Sequence, residues 1–177
     1  MWEVIASLRM QSRTEKTSTR DLVLSDQYES PLEGRQFSAC GNDVSTQNYR
    51  DGILLCNAVS FKISVIHQVG LTGTETVQAK LQFEREAAAV GIHVKEYCTD
   101  NGIKNSEEFP TELILKGKAI YHSDVGGHHH NGVAENAIKN VVRTSLTMMI
   151  HGALRWPEHN ENDLWPLALS HVVHLHN

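Results

Sequence analysis

Strict alternation opens the informative part of the chain. Leu22, Leu24 and Asp26 share one face of a period-two run, and Val23 makes the opposite face apolar as well. That pattern predicts a strand buried on both sides. Residues 29 to 50 carry Pro31, Gly34, Gly41, Asn42 and Asn48 and read as a loop. Ile53 to Ala58 and Ile63 to Val69 are two short β-rich runs separated by a turn near Ser60, which together with the first run predict an antiparallel meander. The period then changes over Thr72 to Val90. Val77, Leu81, Phe83, Ala87, Ala88 and Val90 form an apolar stripe, Lys80, Glu84, Arg85 and Glu86 point outward, Thr74 caps the start and Gly91 ends the helix. Ile92 to Thr99 returns to alternation, and a helical crossover sets it parallel to the first strand. Pro110 opens a short helix through Leu115, and Lys118 to His122 is a last strand. A long helix runs from Asn131 or Gly132 to about Ile150. A final one spans Asp163 to His176, with Leu164, Leu167, Ala168, Val172 and Leu175 at helical spacing.

Composition narrows the class. A chain of 177 residues with 40% hydrophobic and 21% charged residues suits one ordered domain. No apolar run approaches the roughly 20 residues of a membrane span. The opening MWEVIASLRMQS carries Glu3 and Arg9 and lacks the apolar core of a secretory signal, so an intracellular protein is expected. Residues 1–20, with Arg9, Arg13, Lys16 and Arg20 among Ser, Thr and Gln, read as a flexible basic leader, and 21–177 as the folded domain. Cys40, Cys56 and Cys98 lie at no zinc-ligand spacing and read as reduced small hydrophobes. A formal net charge of −5 excludes a field that attracts DNA overall, so any nucleic-acid contact falls to local basic patches or bound cations.

Three acids then draw attention. Neighbouring parallel strands would carry Asp26 and Asp100 to the same sheet end, and Glu135 sits in the first turn of the long helix. Singly, each is a common cap or turn acid, and the helix dipole alone favours Glu135. Together they are the hard-oxygen donor set that a pair of divalent cations needs. Lys139 and Arg143 follow Glu135 by four and eight positions and share its helix face, either as a surface ion pair or as phosphate contacts. His128 to His130 form a run that reads as a polar loop with Gly126 and Gly127. Trp156 and Trp165 read as packing anchors, and His151, His171, His174 and His176 as helix-face residues.

The segments SDQYESP, YCTDNGIKNSEEF, HHHNGVAENAIKNV and LWPLALSHVVHLHN, in that order, resemble the integrase catalytic core of copia-type retrotransposons. Those cores are ribonuclease H-like, D,D,E-type polynucleotidyl transferases of the retroviral integrase superfamily. The resemblance covers about residues 20 to 177, and TDNG with NGVAE at this spacing is its specific part. It implies an α/β fold, a five-stranded mixed sheet in order 3-2-1-4-5 with helices on both faces. It implies that Asp26, Asp100 and Glu135 are catalytic and hold two Mg²⁺ or Mn²⁺ ions. Asn101 would steady the site, and Lys139, Arg143, Asn131 and His130 would meet DNA. The implied activity is DNA integration by 3′-end processing and strand transfer, in the nucleus, by a homo-oligomer. Resembled proteins have a zinc-binding domain upstream and continue past the position of Asn177, so the core is expected to be truncated at its C-terminal end. Two departures stand out: Asn57 where an acid is common, and Asn136 where a basic residue usually follows the Glu. A decayed fragment that binds nucleic acid or a protein partner, and a nuclease that does not join strands, are the alternative readings.

Overall fold

The computed structural model describes residues 22–36, 48–99, 107–122, 132–159 and 161–177. The basic leader at 1–20 and Cys40 lie outside the described residues.

Five strands form one sheet: β1 (Leu22–Gly34), β2 (Tyr49–Asn57), β3 (Ile63–Gln68), β4 (Glu96–Thr99) and β5 (Ala119–His122). Their spatial order is β3-β2-β1-β4-β5, the order that the resemblance implied. β1, β2 and β3 pair antiparallel, while β4 and β5 join β1 in parallel. Among the described residues, four helices accompany them: α1 (Gly73–Ala89), α2 (Glu108–Leu115), α3 (Gly132–Arg155) and α4 (Trp165–His176). Two 3₁₀ turns, Pro157–His159 and Asn162–Leu164, connect α3 to α4.

Alternation along the central strands builds two cores, one on each side of the sheet. Val23, Ile53, Leu55 and Tyr97 meet Ala79, Phe83 and Ala87 of α1 and Phe109 and Leu113 of α2. Leu24, Leu54, Cys56 and Cys98 meet Val141 of α3 and Leu169, Val172 and Val173 of α4. Each such aliphatic or aromatic side chain contributes about 1.5–3 kcal/mol on burial. Cys56 and Cys98 are buried free thiols, and burial raises the pKa of both.

Several sequence expectations need correction. β1 runs on to Gly34, into the stretch read as a loop. Its pairing with β2 continues through Gln27↔Ile53, Tyr28↔Gly52 and Glu29↔Asp51, then shifts register before Gly34↔Tyr49. Pro31 lies inside that irregular stretch, where a missing N–H breaks no ladder bond. Gly34 is held under Trp165 and Pro166, whose side chains a Cβ would strike. On α1 the cap is Thr72, whose hydroxyl accepts from Glu75 N at 3.2 Å; the Thr74 hydroxyl instead donates to Glu108. Lys80 does not point outward. It is fully buried between Glu84 (3.2 Å) and Glu112, because α2 covers that side of α1 with its own carboxylate. Ala88 and Val90 are exposed, and Gly91 ends the helix with a φ of 78°. α2 starts at Glu108, placing Pro110 within its first turn, where the missing N–H still costs nothing. α3 extends to Arg155 rather than Ile150. On α4 the buried residues are Pro166, Leu169, Val172 and Val173, while Leu167 and Leu175 are exposed. Trp165 packs edge-on to Tyr28 and His67, as an anchor should, but Trp156 is exposed and instead lies under the Arg155 guanidinium. His151, His171, His174 and His176 are all exposed on helices.

After α4, the Asn177 carboxamide brackets one residue of the outer strand β3. It accepts from Ile63 N at 2.8 Å and donates to Ile63 O at 2.7 Å.

Candidate active site

Period-two geometry fixes which way Asp26 looks. Leu24 belongs to the core beneath α3 and α4, Leu22 and Tyr28 pack against that core, and Asp26 lies between them at the same parity. Its cross-strand partner, Leu54, belongs to that core as well. Residues opposite one another in a ladder share a face, so the half-buried Asp26 is on the α3 side of the sheet. One carboxylate oxygen accepts from Gln27 N at 2.9 Å.

Glu135 enters from above. α3 begins at Gly132, so Glu135 lies in its first turn, and its side chain is 40% exposed. Lys139, one turn further on, holds its ammonium 3.8 Å from the Glu135 carboxylate and is itself 71% exposed. A pair that open to water contributes little stability. Arg143 is exposed one more turn along. Two of the three acids, and both cations, thus come from β1 and from the helix packed on its Asp26 side.

The third acid follows β4 directly. Thr99, the last residue of β4, pairs with Ser25, the residue before Asp26. Asp100 itself lies outside the described residues, and so do Asn101, His130, Asn131 and the Gly126–Gly127 and His128–His130 stretch. Among the described residues, no three His, Cys, Asp or Glu side chains converge tightly enough to hold an ion. The donor chemistry nevertheless suits a hard cation: both described acids offer carboxylate oxygens at partly open positions on one side of the sheet. Asn57, where the resemblance leads one to expect an acid, has a structural role. Its Oδ1 accepts from Val59 N, Ser60 N and the Ser60 hydroxyl and so fastens the β2–β3 turn.

Sequence reasoning missed a half-buried polar chain beside Asp26. Tyr28 Oη and His67 Nδ1 share a hydrogen bond of 2.7 Å, and His67 Nε2 and Ser170 Oγ share one of 2.9 Å. Gln36 donates to the same serine hydroxyl at 3.2 Å. Burial lowers the His67 pKa to about 4, against a smaller opposing effect of the Pro166 backbone. Burial also raises the Tyr28 phenol well above its usual value, with the Asp51 charge adding to it. Gly52 makes the room, since a Cβ there would strike the Tyr28 hydroxyl. The chain ties β1, β3 and α4 together two residues beyond Asp26. A histidine and a glycine in otherwise β-rich runs were the only signals of it.

This strand order, with helices on both faces, is the ribonuclease H-like fold of integrase catalytic cores. Solved structures it is similar to include retroviral ones. They include the simian T-cell lymphotropic virus intasome in complex with a PP2A regulatory subunit (TM-score 0.56, 15% identity, 85% of this chain and 47% of that one). They include the HTLV-2 integrase catalytic core domain in complex with magnesium in a trimeric form (TM-score 0.51, 15% identity, 87% and 82%). The catalytic core domain of BIV integrase is a third (TM-score 0.56, 12% identity, 87% and 81%). The chain thus spans about half the length of the intasome chain and most of the length of the two isolated cores. No family model matches the chain, and no curated protein does. No described helix is long and apolar enough to cross a membrane.

Proposed function

We propose that this chain is the catalytic core of a copia-type retrotransposon integrase, a metal-dependent polynucleotidyl transferase acting on DNA in the nucleus. The observation that carries the reading is the placement of Asp26 and Glu135 on one side of a ribonuclease H-like sheet, with Asp100 following the last rung of the β1–β4 ladder. The magnesium named for the HTLV-2 core supports the choice of cation.

In this reading Asp26, Asp100 and Glu135 hold two Mg²⁺ or Mn²⁺ ions, which would lower the pKa of an attacking water or 3′-hydroxyl and offset the charge that develops at phosphate. The residues do the positioning. β1 is anchored on both sides of Asp26, by the Leu24 core and by the Tyr28–His67 hydrogen bond, which keeps that carboxylate from swinging. α3 delivers Glu135 from a rigid helix rather than a loop. Lys139 and Arg143 meet phosphate, with Asn101, Asn131 and His130 contributing from beside the site. Little covalent work is left to the protein, because in-line displacement at phosphate depends mainly on orientation and charge.

The test is a strand-cleavage and joining assay on short duplexes with Mn²⁺. Wild-type protein is expected to cleave or join, and Asp100→Asn and Asp26→Asn are each expected to abolish both activities. Undiminished turnover in either variant removes the site. Inactive wild-type protein that still binds DNA favours the decayed-fragment reading, and cleavage without joining favours the simple nuclease.

A further inference from the structure

The last residue of β3 ends in a polar group that the fold leaves unanswered. Gln68 is 4% exposed, and among the described residues neither its Nε2 nor its Oε1 has a hydrogen-bond partner. A buried carboxamide without partners is costly, and native chains rarely keep one without a use. Gln68 borders a cavity of about 230 Å³ between the end of β3 and one side of α1. Along the α1 wall Glu75 stands at one end and exposed Arg85 at the other, with Gln78 and Gln82 between them. The Glu75 carboxylate accepts from Gly70 N at 2.9 Å, which fixes its place.

The chain itself shows what such a group can hold. At the first residue of the same strand, the Asn177 carboxamide takes both the N–H and the C=O of Ile63. An extended residue presents its donor and its acceptor side by side, and a carboxamide answers both at once. Charge narrows the choice of ligand. Asp51 stands opposite Gln68 in the β2–β3 ladder and Glu29 opposite Asp51 in the β1–β2 ladder, so two carboxylates share the Gln68 face of the sheet. Burial first, and then the charges of Glu29 and Glu75, raise the Asp51 pKa against a smaller effect of Arg50. That end of the cavity repels a phosphate and draws a cation.

We propose that this cavity binds an extended peptide segment of a partner protein, Gln68 turning its carboxamide onto the N–H and C=O of one residue of the segment, with a lysine or arginine of the segment beside Glu75 and an acidic residue beside Arg85. Glu75 and Arg85 are ten positions apart. That is about 15 Å at 1.5 Å per helical residue, a distance that an extended segment covers in about five residues. Backbone hydrogen bonds supply affinity, and the charged ends set direction. So small a contact binds weakly, in the upper micromolar range. The cavity is on the α1 side of the sheet, whereas Asp26 and α3 are on the other.

The probe is a pool of capped pentapeptides with lysine first, glutamate last and the middle positions randomised. It is added to the whole chain without metal or DNA. In ¹⁵N-labelled protein the Gln68 side-chain amide signal, assigned by its loss in Gln68→Met, should move as peptide is added. Gln68→Met keeps the bulk and removes both polar atoms. It should abolish binding and raise the melting temperature of the free protein, because the unpartnered group is gone. A residue with a merely structural role would lower the melting temperature when replaced. Peptides with the charged ends exchanged should bind about tenfold more weakly, and Arg85→Ala should weaken binding by a similar factor. A pool that does not bind overturns the proposal, and so does equal binding by Gln68→Met or a lower melting temperature in that variant. Short single-stranded DNA is offered in parallel, and a shift of the Gln68 signal by DNA but not by peptide assigns the cavity to nucleic acid and overturns the peptide. None of these readouts depends on metal or catalysis, so failure of the active-site reading leaves them unaffected.

Discussion

Acid should destabilise this protein through one half-buried imidazole, and the size of the effect follows from His67. Its pKa lies near 4 in the folded chain, against 6.5 for the free side chain. The folded-state value is the lower one, so the unfolded chain binds the extra proton first. The stability tied to neutral His67 is present in full above pH 6.5 and drains away as pH falls towards 4. Each pH unit in that window removes about 1.4 kcal/mol, or about 3 kcal/mol across it. That is a large share of the 5–15 kcal/mol typical of a domain. His67→Gln is the control, because it keeps a polar group of similar reach that does not titrate. Urea unfolding of both proteins at pH 7, 5.5 and 4 isolates the histidine, since the carboxylates common to both cancel in the difference. At pH 7 the wild type should be more stable by about 1–2 kcal/mol, the worth of its hydrogen bonds to Tyr28 and Ser170. By pH 4 that advantage should have vanished or reversed. A difference that stays constant over the whole range would show that His67 is solvated in the folded state and that the Tyr28–His67–Ser170 chain is not as described.

Two further substitutions bear on the frame. Glu84→Ala should cost about 3–5 kcal/mol in chemical unfolding, because it strips a partner from fully buried Lys80 and also removes contacts to Lys118 (2.6 Å) and the Tyr97 hydroxyl (2.8 Å). Burial by itself would raise the Glu84 pKa, but hydrogen bonds from Lys118 and Tyr97 and the charges of Lys80 and Lys118 bring it below the ordinary value. Its contribution should therefore persist at neutral pH and fade only in acid, and a loss independent of pH would contradict the ion cluster. Gly52→Ala should destabilise by about 1–3 kcal/mol in chemical unfolding through overpacking against the Tyr28 ring and hydroxyl and the Ile66 carbonyl; unchanged stability would show that the strand has room for a Cβ there.

The sheet was legible because its signals are local. Apolar residues on both faces of Leu22–Asp26, and a helix between two strands, dictate a central strand with a parallel neighbour. What was not legible depends on distant partners. The continuation of β1 past Glu29 rests on pairing with β2, which no local propensity encodes, and Pro31 and Gly34 argue against it when read alone. Lys80 reads as solvent-facing until Glu112, 32 positions away, is brought beside it. The face of α4 was misjudged because Leu167 and Leu175 satisfy helical spacing as well as Leu169 and Val173 do, and only docking against the sheet chooses between them. For the site, the motif around Glu135 correctly places it in the first turn of α3, whereas the Tyr28–His67–Ser170 chain joins residues 39 and 103 positions apart and leaves no motif.

An outer strand offers its free amides and carbonyls to any passing polypeptide, and β3 is one of the two outermost strands here. The carboxamide of Asn177, fastened to both backbone groups of Ile63, impersonates a single rung of a sixth strand. An intruding chain therefore finds its first foothold taken, and it must displace two good hydrogen bonds before it can zip along the margin. A residue with no chemistry of its own thus helps keep neighbouring molecules from growing the sheet into an aggregate.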